Sequence, residues 1–215
     1  PVIAGENSFY KKTGSVGFPL PTIEIKIDNP DANGIGEIIT KTPAIMLGYY
    51  KNEEATNEVL KDGYFYTGDL GYIDNDGFLF VTGRKKDMIV LKNGKKIFPE
   101  ELEILINKLP YVTESMVFGL LDNSKLDRNT DVTLCAKIIY DEEELKKAFP
   151  GIKDNEYCDK IWNDIKTKIN KQMPAYKYIR QIIISSDPLI KTTTQKIKRN
   201  EEMKKIAKAC KKSKD

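Results

Sequence analysis

Residues 63–101 read GYFYTGDLGYIDNDGFLFVTGRKKDMIVLKNGKKIFPEE, and this stretch decides how the rest is read. Leu70 to Ile73 and Phe78 to Thr82 both mix aromatic and β-branched residues, as strands do. Between them Asp74-Asn75-Asp76-Gly77 predicts a hairpin turn, with Gly77 free to take positive φ. Tyr66-Thr67-Gly68-Asp69 stands just before the hairpin and Gly83-Arg84-Lys85-Lys86-Asp87 just after it. A carboxylate therefore enters and a guanidinium leaves, side by side at one end. An ionised Asp only accepts and can hold two vicinal hydroxyls, while Arg offers a planar fork of donors, so the pair suits a ribose and a phosphate. Taken singly, Thr-Gly-Asp also reads as a turn and Arg-Lys-Lys-Asp as a solvated charge run; in this order they are far more specific.

Upstream, residues 1–50 read as β-structure. Ile23, Ile25 and Ile27 alternate with Glu24 and Lys26 as in a half-buried strand. Asp28 to Gly34 is a turn cluster, and Gly36 to Thr40 answers as the next strand. Pro43 to Tyr50 leads into a polar helical piece, Glu53 to Leu60. The strand density predicts a small barrel or meander. Thr13 to Leu20, TGSVGFPL, is hydroxyl-poor and reads as structural.

Downstream the pattern changes to α+β. Met88–Leu91 and Lys95–Phe98 flank the turn dipeptide Asn93-Gly94. Pro99 and Glu100-Glu101 open a helix whose apolar face is Leu102, Leu105, Ile106 and Leu109, and Pro110 stops it. Strands follow at Val112–Gly119 and Leu134–Tyr140, around a polar loop spanning Asp122 to Asp131. A short helix, Glu142 to Ala148, precedes a longer one, Asn155 to Gln172, with Cys158, Ile161, Trp162, Ile165 and Ile169 expected in the core. Tyr178 to Ile184 reads as a last strand and Glu201 to Lys211 as a last, basic helix. The fold class is thus a β-rich barrel or meander subdomain, residues 1–84, followed by an α+β domain, residues 85–215.

Composition narrows the chemistry. The 215 residues are 40% hydrophobic and 31% charged, with 35 basic against 32 acidic groups, so no global field marks a nucleic-acid binder. The end is locally basic, from Lys196-Ile197-Lys198-Arg199 to Lys214. No apolar run approaches membrane-spanning length and no signal-peptide pattern opens the chain. The three cysteines lack any CxxC spacing and suggest a reducing compartment rather than a zinc site. With no histidine, Ser-His and Cys-His nucleophile systems are excluded. Lys, Arg, carboxylates and backbone remain. The opening at Pro1, without Met, is expected to lie inside a longer protein.

Tyr66-Thr67-Gly68-Asp69-Leu70-Gly71, then Gly83-Arg84-Lys85-Lys86-Asp87-Met88-Ile89, then Gly94 and Pro99-Glu100-Glu101-Leu102-Glu103 resemble the adenylate-forming superfamily of acyl-CoA synthetases, luciferases and peptide-synthetase adenylation domains. The wording is most similar to long-chain fatty acyl-CoA synthetases, over nearly the whole chain but only the C-terminal part of such an enzyme. The resemblance implies ATP-dependent activation of a fatty acid to acyl-AMP and pyrophosphate, then transfer to CoA by rotation of a C-terminal lid. It implies that Tyr66, Asp69 and Arg84 bind the nucleotide and that Lys86 is the hinge. Gly94, Lys92 and Lys95 would meet the pantetheine arm and phosphates of CoA. Ile190-Lys191-Thr192-Thr193-Thr194-Gln195-Lys196-Ile197-Lys198-Arg199 resembles the family's late motif, which makes Lys196 the catalytic candidate; Gln195 stands where the family has Gly. Thr13 to Leu20 mimics the family's phosphate loop, but Leu20 stands where that loop has Lys, and the stretch resembles instead the family's downstream Gly-Ser-Val-Gly-x-Pro-x-Pro segment. The phosphate loop itself and the segment serving ATP and magnesium are expected in the missing N-terminal part. No metal ligand is assigned in this chain. The expected location is cytoplasmic, with peripheral membrane contact left open and no nucleic-acid partner. Two other readings stand beside this one: an adenylation enzyme that loads a carrier protein, and a non-catalytic basic module binding nucleic acid or acidic membrane.

Overall fold

A computed structural model describes residues 2–121 and 132–212, apart from the side chains of Leu121 and residues 209–212. The polar loop read at Asp122–Asp131 lies outside these residues, as do Lys214 and the Cys210 side chain. The chain divides into two compact units, 1–88 and 89–215.

In the first unit, short strands β1 (Ala4–Gly5) and β2 (Phe18–Pro19) pair with each other. The Thr13–Leu20 stretch thus feeds a strand pair, and Gly17 bridges to Leu79. The main sheet runs β3 (Glu24–Asp28), β4 (Gly36–Lys41), β6 (Tyr64–Ile73) and β5 (Leu60–Lys61), with β7 (Leu79–Arg84) paired to β6. All these pairings are antiparallel, which gives the meander form of the expected β-rich unit. Ile38, Ile39, Leu70, Phe78 and Leu79 are buried in it. Helix α1 (Glu53–Val59) begins where Asn52 accepts from the Ala55 N–H, a side-chain cap that satisfies one orphan donor. Strand β6 starts six residues earlier than the aromatic pattern suggests, because Thr-Gly-Asp is a bulge within it rather than a turn before it.

The second unit opens with hairpin β8 (Ile89–Val90) and β9 (Lys96–Ile97), then α2 (Pro99–Ile106). Strands β10 (Val112–Leu121), β11 (Val132–Tyr140) and β12 (Gln181–Ser185) form a three-stranded sheet. The β11–β12 pair is parallel and needs a crossover, supplied by α3 (Glu142–Ala148) and α4 (Tyr157–Asp164). Alternation sorts the sheet's faces. Val117, Leu134, Ala136 and Ile138 meet Leu102 and Ile106 of α2 and Ile161 of α4. Met116, Phe118, Cys135 and Ile139 meet Ile206 of α5 (Arg199–Lys212). Each such aliphatic side chain contributes roughly 1.5–3 kcal/mol by leaving water.

The expected Asn155–Gln172 helix is a composite: α4 continues into a π-helical turn, Ile165–Ile169, and a 3-10 turn, Asn170–Gln172. Its buried row is Tyr157, Ile161, Ile165 and Ile169, and Cys158, one position off that row, is exposed. The expectation that Cys158 belongs to the core is therefore corrected; Trp162 packs at the core's edge, half-buried. Strand β12 begins after Tyr178 because Ala175–Lys177 forms a 3-10 turn first.

Candidate functional site

The Thr-Gly-Asp bulge is built from three sides. Opposite Glu37 and Ile39 of β4 stand Leu70 and Tyr66, so Thr67, Gly68 and Asp69 face Ile38 alone. Gly68 accommodates the kink at φ +72°, where a side chain is disfavoured. The Thr67 hydroxyl donates to the Ile38 carbonyl at 2.7 Å and accepts from the Asp69 N–H at 3.0 Å. The Glu37 carboxylate, 7% exposed, accepts from the Gly68 N–H at 3.1 Å. Bulges re-aim side chains in this way. Asp69 then lies opposite Arg84 of β7, with the guanidinium Nε 2.8 Å from the carboxylate. Both groups are partly exposed, and an ion pair of this kind is worth about 0–1 kcal/mol, so an incoming ligand competes with it at little cost. Tyr66, Thr67, Gly68, Tyr49, Glu37 and Lys85 line a cleft of about 510 Å³ beside the bulge.

Past Arg84 the strand ends in a single helical turn, where Asp87 and Met88 both donate to the Arg84 carbonyl at 3.1 Å. Lys85 stays attached to the sheet: its N–H donates to Gly68 at 2.8 Å and its ammonium to Glu37 at 2.6 Å. That carboxylate holds the Lys85 pKa above its ordinary value. Lys86 is exposed within this turn, and the first unit ends two residues later.

In the second unit, Gly94 donates to the Leu91 carbonyl and Leu91 to the Lys95 carbonyl, both at 2.9 Å. This closes a hairpin with Gly94 at φ +76°. The Lys95 ammonium sits 4.1 Å from the centroid of the Tyr176 ring, a cation–π contact. A cleft of about 540 Å³ beside the hairpin is lined by Lys92, Asn93, Thr133, Tyr176, Tyr178 and Arg180, which offers cations and flat aromatic faces together.

Lys196 heads a second hairpin. Gln195 donates to Thr192 at 3.0 Å, Thr192 donates to the Lys196 carbonyl at 2.8 Å, and Lys191 bridges Ile197. The Thr192 hydroxyl accepts from the Lys196 N–H at 3.1 Å. The base of the hairpin is fixed by charge. Lys191 pairs with Glu114, Lys198 with Glu201, and Arg199 grips both oxygens of Glu103 at 2.8 Å. Glu103 also accepts from the Val117 N–H at 2.7 Å. Glu202, fully buried, accepts from the Ile190 N–H and from the Lys137 ammonium, each at 2.8 Å. Lys196, by contrast, is exposed and makes no ion pair among the described residues.

The structure therefore joins Asp69 to Arg84, with Tyr66 in the adjoining cleft, and sets Gly94 with Lys92 and Lys95 in one hairpin and Lys196 in another. Sequence reasoning did not give a role to the buried carboxylates Glu37, Glu103 and Glu202. Their strand or helix positions carry no signal of burial, because their basic partners lie 48, 96 and 65 residues away in the chain. Among the described residues no group of three or more His, Cys, Asp or Glu stands together as a metal-holding cluster. Among them, too, no helix is long and apolar enough to cross a membrane.

Residues 86–213 match the family described as "AMP-binding enzyme C-terminal domain". "Probable 4-coumarate–CoA ligase 2" of Dictyostelium discoideum is 37% identical over 195 residues, 87% of this chain and 32% of that protein. "Long-chain-fatty-acid–CoA ligase" of Escherichia coli O6:H1 is 31% identical over 194 residues, 88% of this chain and 31% of that protein. The chain thus spans about a third of the length of these relatives. Among solved structures, o-succinylbenzoate CoA synthetase from Bacillus subtilis, in complex with its acyl-adenylate intermediate, matches with a TM-score of 0.69 and 28% identity, over 88% of this chain and 35% of that one. An anthranilate CoA ligase in complex with anthranoyl-AMP matches with a TM-score of 0.75 and 25% identity, over 97% and 38%. The bulged Asp69–Arg84 pair and the two lysine-bearing hairpins stand in a chain that belongs to the AMP-binding, adenylate-forming enzyme family, with its C-terminal domain at residues 86–213.

Proposed function

We propose that the chain is the part of an AMP-forming acid–thiol ligase that grips the nucleotide ribose and carries the mobile lid. In the first half-reaction a carboxylate oxygen attacks the α-phosphorus of ATP and pyrophosphate leaves, giving an acyl-adenylate. In the second, the CoA thiolate attacks the acyl carbon and AMP leaves. Asp69 accepts from the ribose hydroxyls, Arg84 donates to ribose or phosphate, and Tyr66 borders the nucleotide. Lys196 places its ammonium on the charge that develops in the first transition state. Lys86 is the hinge. The Gly94 hairpin borders the path of the pantetheine thiol, with Lys92 and Lys95 toward the CoA phosphates.

The observation that carries this reading is the contrast around Lys196. Lys191, Lys198 and Arg199 are each held by a carboxylate, while Lys196 stays exposed and makes no ion pair among the described residues. A flexible ammonium on a rigid base is what a transient phosphate partner requires. The exposed thiol of Cys158 fits the cytoplasm. The acid is read as a long-chain fatty acid. Relatives named for long-chain acids support this, and those named for 4-coumarate and 2-succinylbenzoate make aryl acids the alternative substrates to test.

The test is acid-dependent pyrophosphate release, then thioester formation, by the full-length protein with long-chain and aryl acids. This chain alone should turn over none of them. Lys86→Pro, which fixes φ near −65°, should leave adenylation and cripple transfer to CoA. Robust turnover by this chain alone would sink the division of labour, and wild-type rates for both half-reactions in Lys86→Pro would remove Lys86 as the hinge.

A further inference from the structure

Glu37 is a carboxylate in a strand paired on both sides, opposite Asp28 and Leu70, and is 7% exposed. Burying that charge is costly, and an apolar residue of similar volume would serve the sheet's stability as well or better. Its contacts indicate a different use. One oxygen accepts from the Gly68 N–H at 3.1 Å and the other from the Lys85 ammonium at 2.6 Å. Gly68 immediately precedes Asp69, and Lys85 immediately follows Arg84. The Lys85 N–H also donates back to the Gly68 carbonyl at 2.8 Å. The carboxylate thus closes a ring through the two strands that carry the Asp69–Arg84 pair, and it meets the chain one residue before Lys86.

We infer that Glu37 is a positioning residue: it holds the bulge that aims Asp69 and clamps Lys85, so that ribose recognition stays fixed while the backbone beyond Lys85 moves. The inference rests on the proposed ribose role of Asp69. Gly68 cannot hold the kink alone, because glycine is the residue with the most backbone freedom to lose. Thr67 secures one side of the bulge through Ile38, and Glu37 secures the other. Losing Glu37 should therefore disturb the aim of Asp69 before it disturbs the sheet, whose β3–β4 and β4–β6 ladders run through the backbone.

The experiment reads recognition of the ribose hydroxyls in the full-length protein. The kcat/KM for pyrophosphate release is compared for ATP, 2′-deoxy-ATP and 3′-deoxy-ATP in wild type, Asp69→Ala, Glu37→Ala and Glu37→Gln. A hydrogen bond to a charged group sets the expected wild-type preference for ATP at about tenfold or more. Asp69→Ala should abolish the preference, and folded Glu37→Ala should reduce it to within about twofold while its melt stays cooperative. Glu37→Gln keeps an acceptor for Gly68 but loses the charge facing Lys85, so its preference should fall by about threefold. A protein deficient only in packing would lose rate equally with all three nucleotides. Should Glu37→Ala not fold, Glu37→Gln carries the test alone. Full wild-type discrimination in a folded Glu37 variant, with Asp69→Ala discriminating no longer, overturns the role of Glu37. Absence of discrimination in wild type, or its survival in Asp69→Ala, sinks the ribose reading itself.

Discussion

The hairpins Leu91–Lys95 and Thr192–Lys196 have the same hydrogen-bond plan, yet the chain secures them in opposite ways. In each, the fourth residue donates back to the first, the first donates to the fifth, and the fourth takes a left-handed backbone. In each, the fifth residue is Lys. The first hairpin has Gly94 at the left-handed position and docks its lysine on Tyr176. The second has Gln195 there, at φ +64°, and leaves its lysine without an ion pair among the described residues. The strained hairpin is the one whose base is fixed by buried and half-buried charge, through Lys191–Glu114, Arg199–Glu103 and Glu202. Strain at a left-handed non-glycine persists where the surroundings over-determine the backbone, and those ion pairs supply the surroundings.

The sharpest way to break this arrangement is to remove Glu202. Its partner Lys137 is 4% exposed, and taking one member from a buried pair costs about 3–5 kcal/mol. Glu202→Ala should lower the stability of this chain by that much in urea melts, and it should loosen the Lys196 hairpin through Ile190. Burial alone would raise the Glu202 pKa, but the Lys137 ammonium and the Ile190 N–H outweigh it and hold the pKa below the ordinary value. A lowered folded pKa contributes stability that is fully present above the unfolded value and is lost as pH falls through the folded one. The gap between wild type and variant should therefore be widest near neutral pH and narrow progressively below about pH 4.3. A gap independent of pH would mean that Glu202 acts through packing.

Next in size is the exchange of the two tip lysines. In the full-length protein, Lys196→Ala should slow adenylate formation by about 10²–10³-fold, the usual cost of removing a group aimed at developing charge. Thioester formation from supplied acyl-adenylate should stay near wild type. Lys95→Ala should do the reverse and more weakly, leaving adenylation intact and raising KM for CoA by roughly three- to tenfold, as for an exposed cation contact. Equal damage to both half-reactions by either variant would collapse the distinction between the hairpins.

The sequence made the two hairpins unequally legible. Asn93-Gly94 announces a turn by itself, as Asp76-Gly77 does for the hairpin before it. Thr193-Thr194-Gln195 announces nothing, because hydroxyl and amide residues are neutral there and the left-handed position lacks its glycine; only the resemblance marked it. The β-rich unit, the α2 face and the strands β10 and β11 followed from period and propensity. The bulge at Thr67–Asp69 did not, since its logic lies in the Ile38 carbonyl and the Glu37 carboxylate on another strand. The displaced Cys158 shows the same limit: the i, i+4 row from Tyr157 is core, and a neighbour one position off it is not.

The smallest effect is also the most direct test of the strain. A side-chain-bearing residue in the left-handed region costs roughly 1–2 kcal/mol, and glycine gives back roughly 0.5–1 kcal/mol through its greater freedom when unfolded. Gln195→Gly should thus stabilise the chain by about 0.5–1 kcal/mol, a rise of about 1–4 °C in Tm. Adenylation should stay within about twofold of wild type, because the hydrogen bonds that hold the tip run through the backbone and Thr192. The mirror variant, Gly94→Gln, should lose a similar amount. Nothing lies within 4 Å of where its Cβ would stand, so that loss would report backbone strain rather than a clash. If Gln195→Gly instead lowers Tm, the ion pairs at the base do not over-determine that backbone, and Gln195 stabilises the hairpin by some contact of its own side chain.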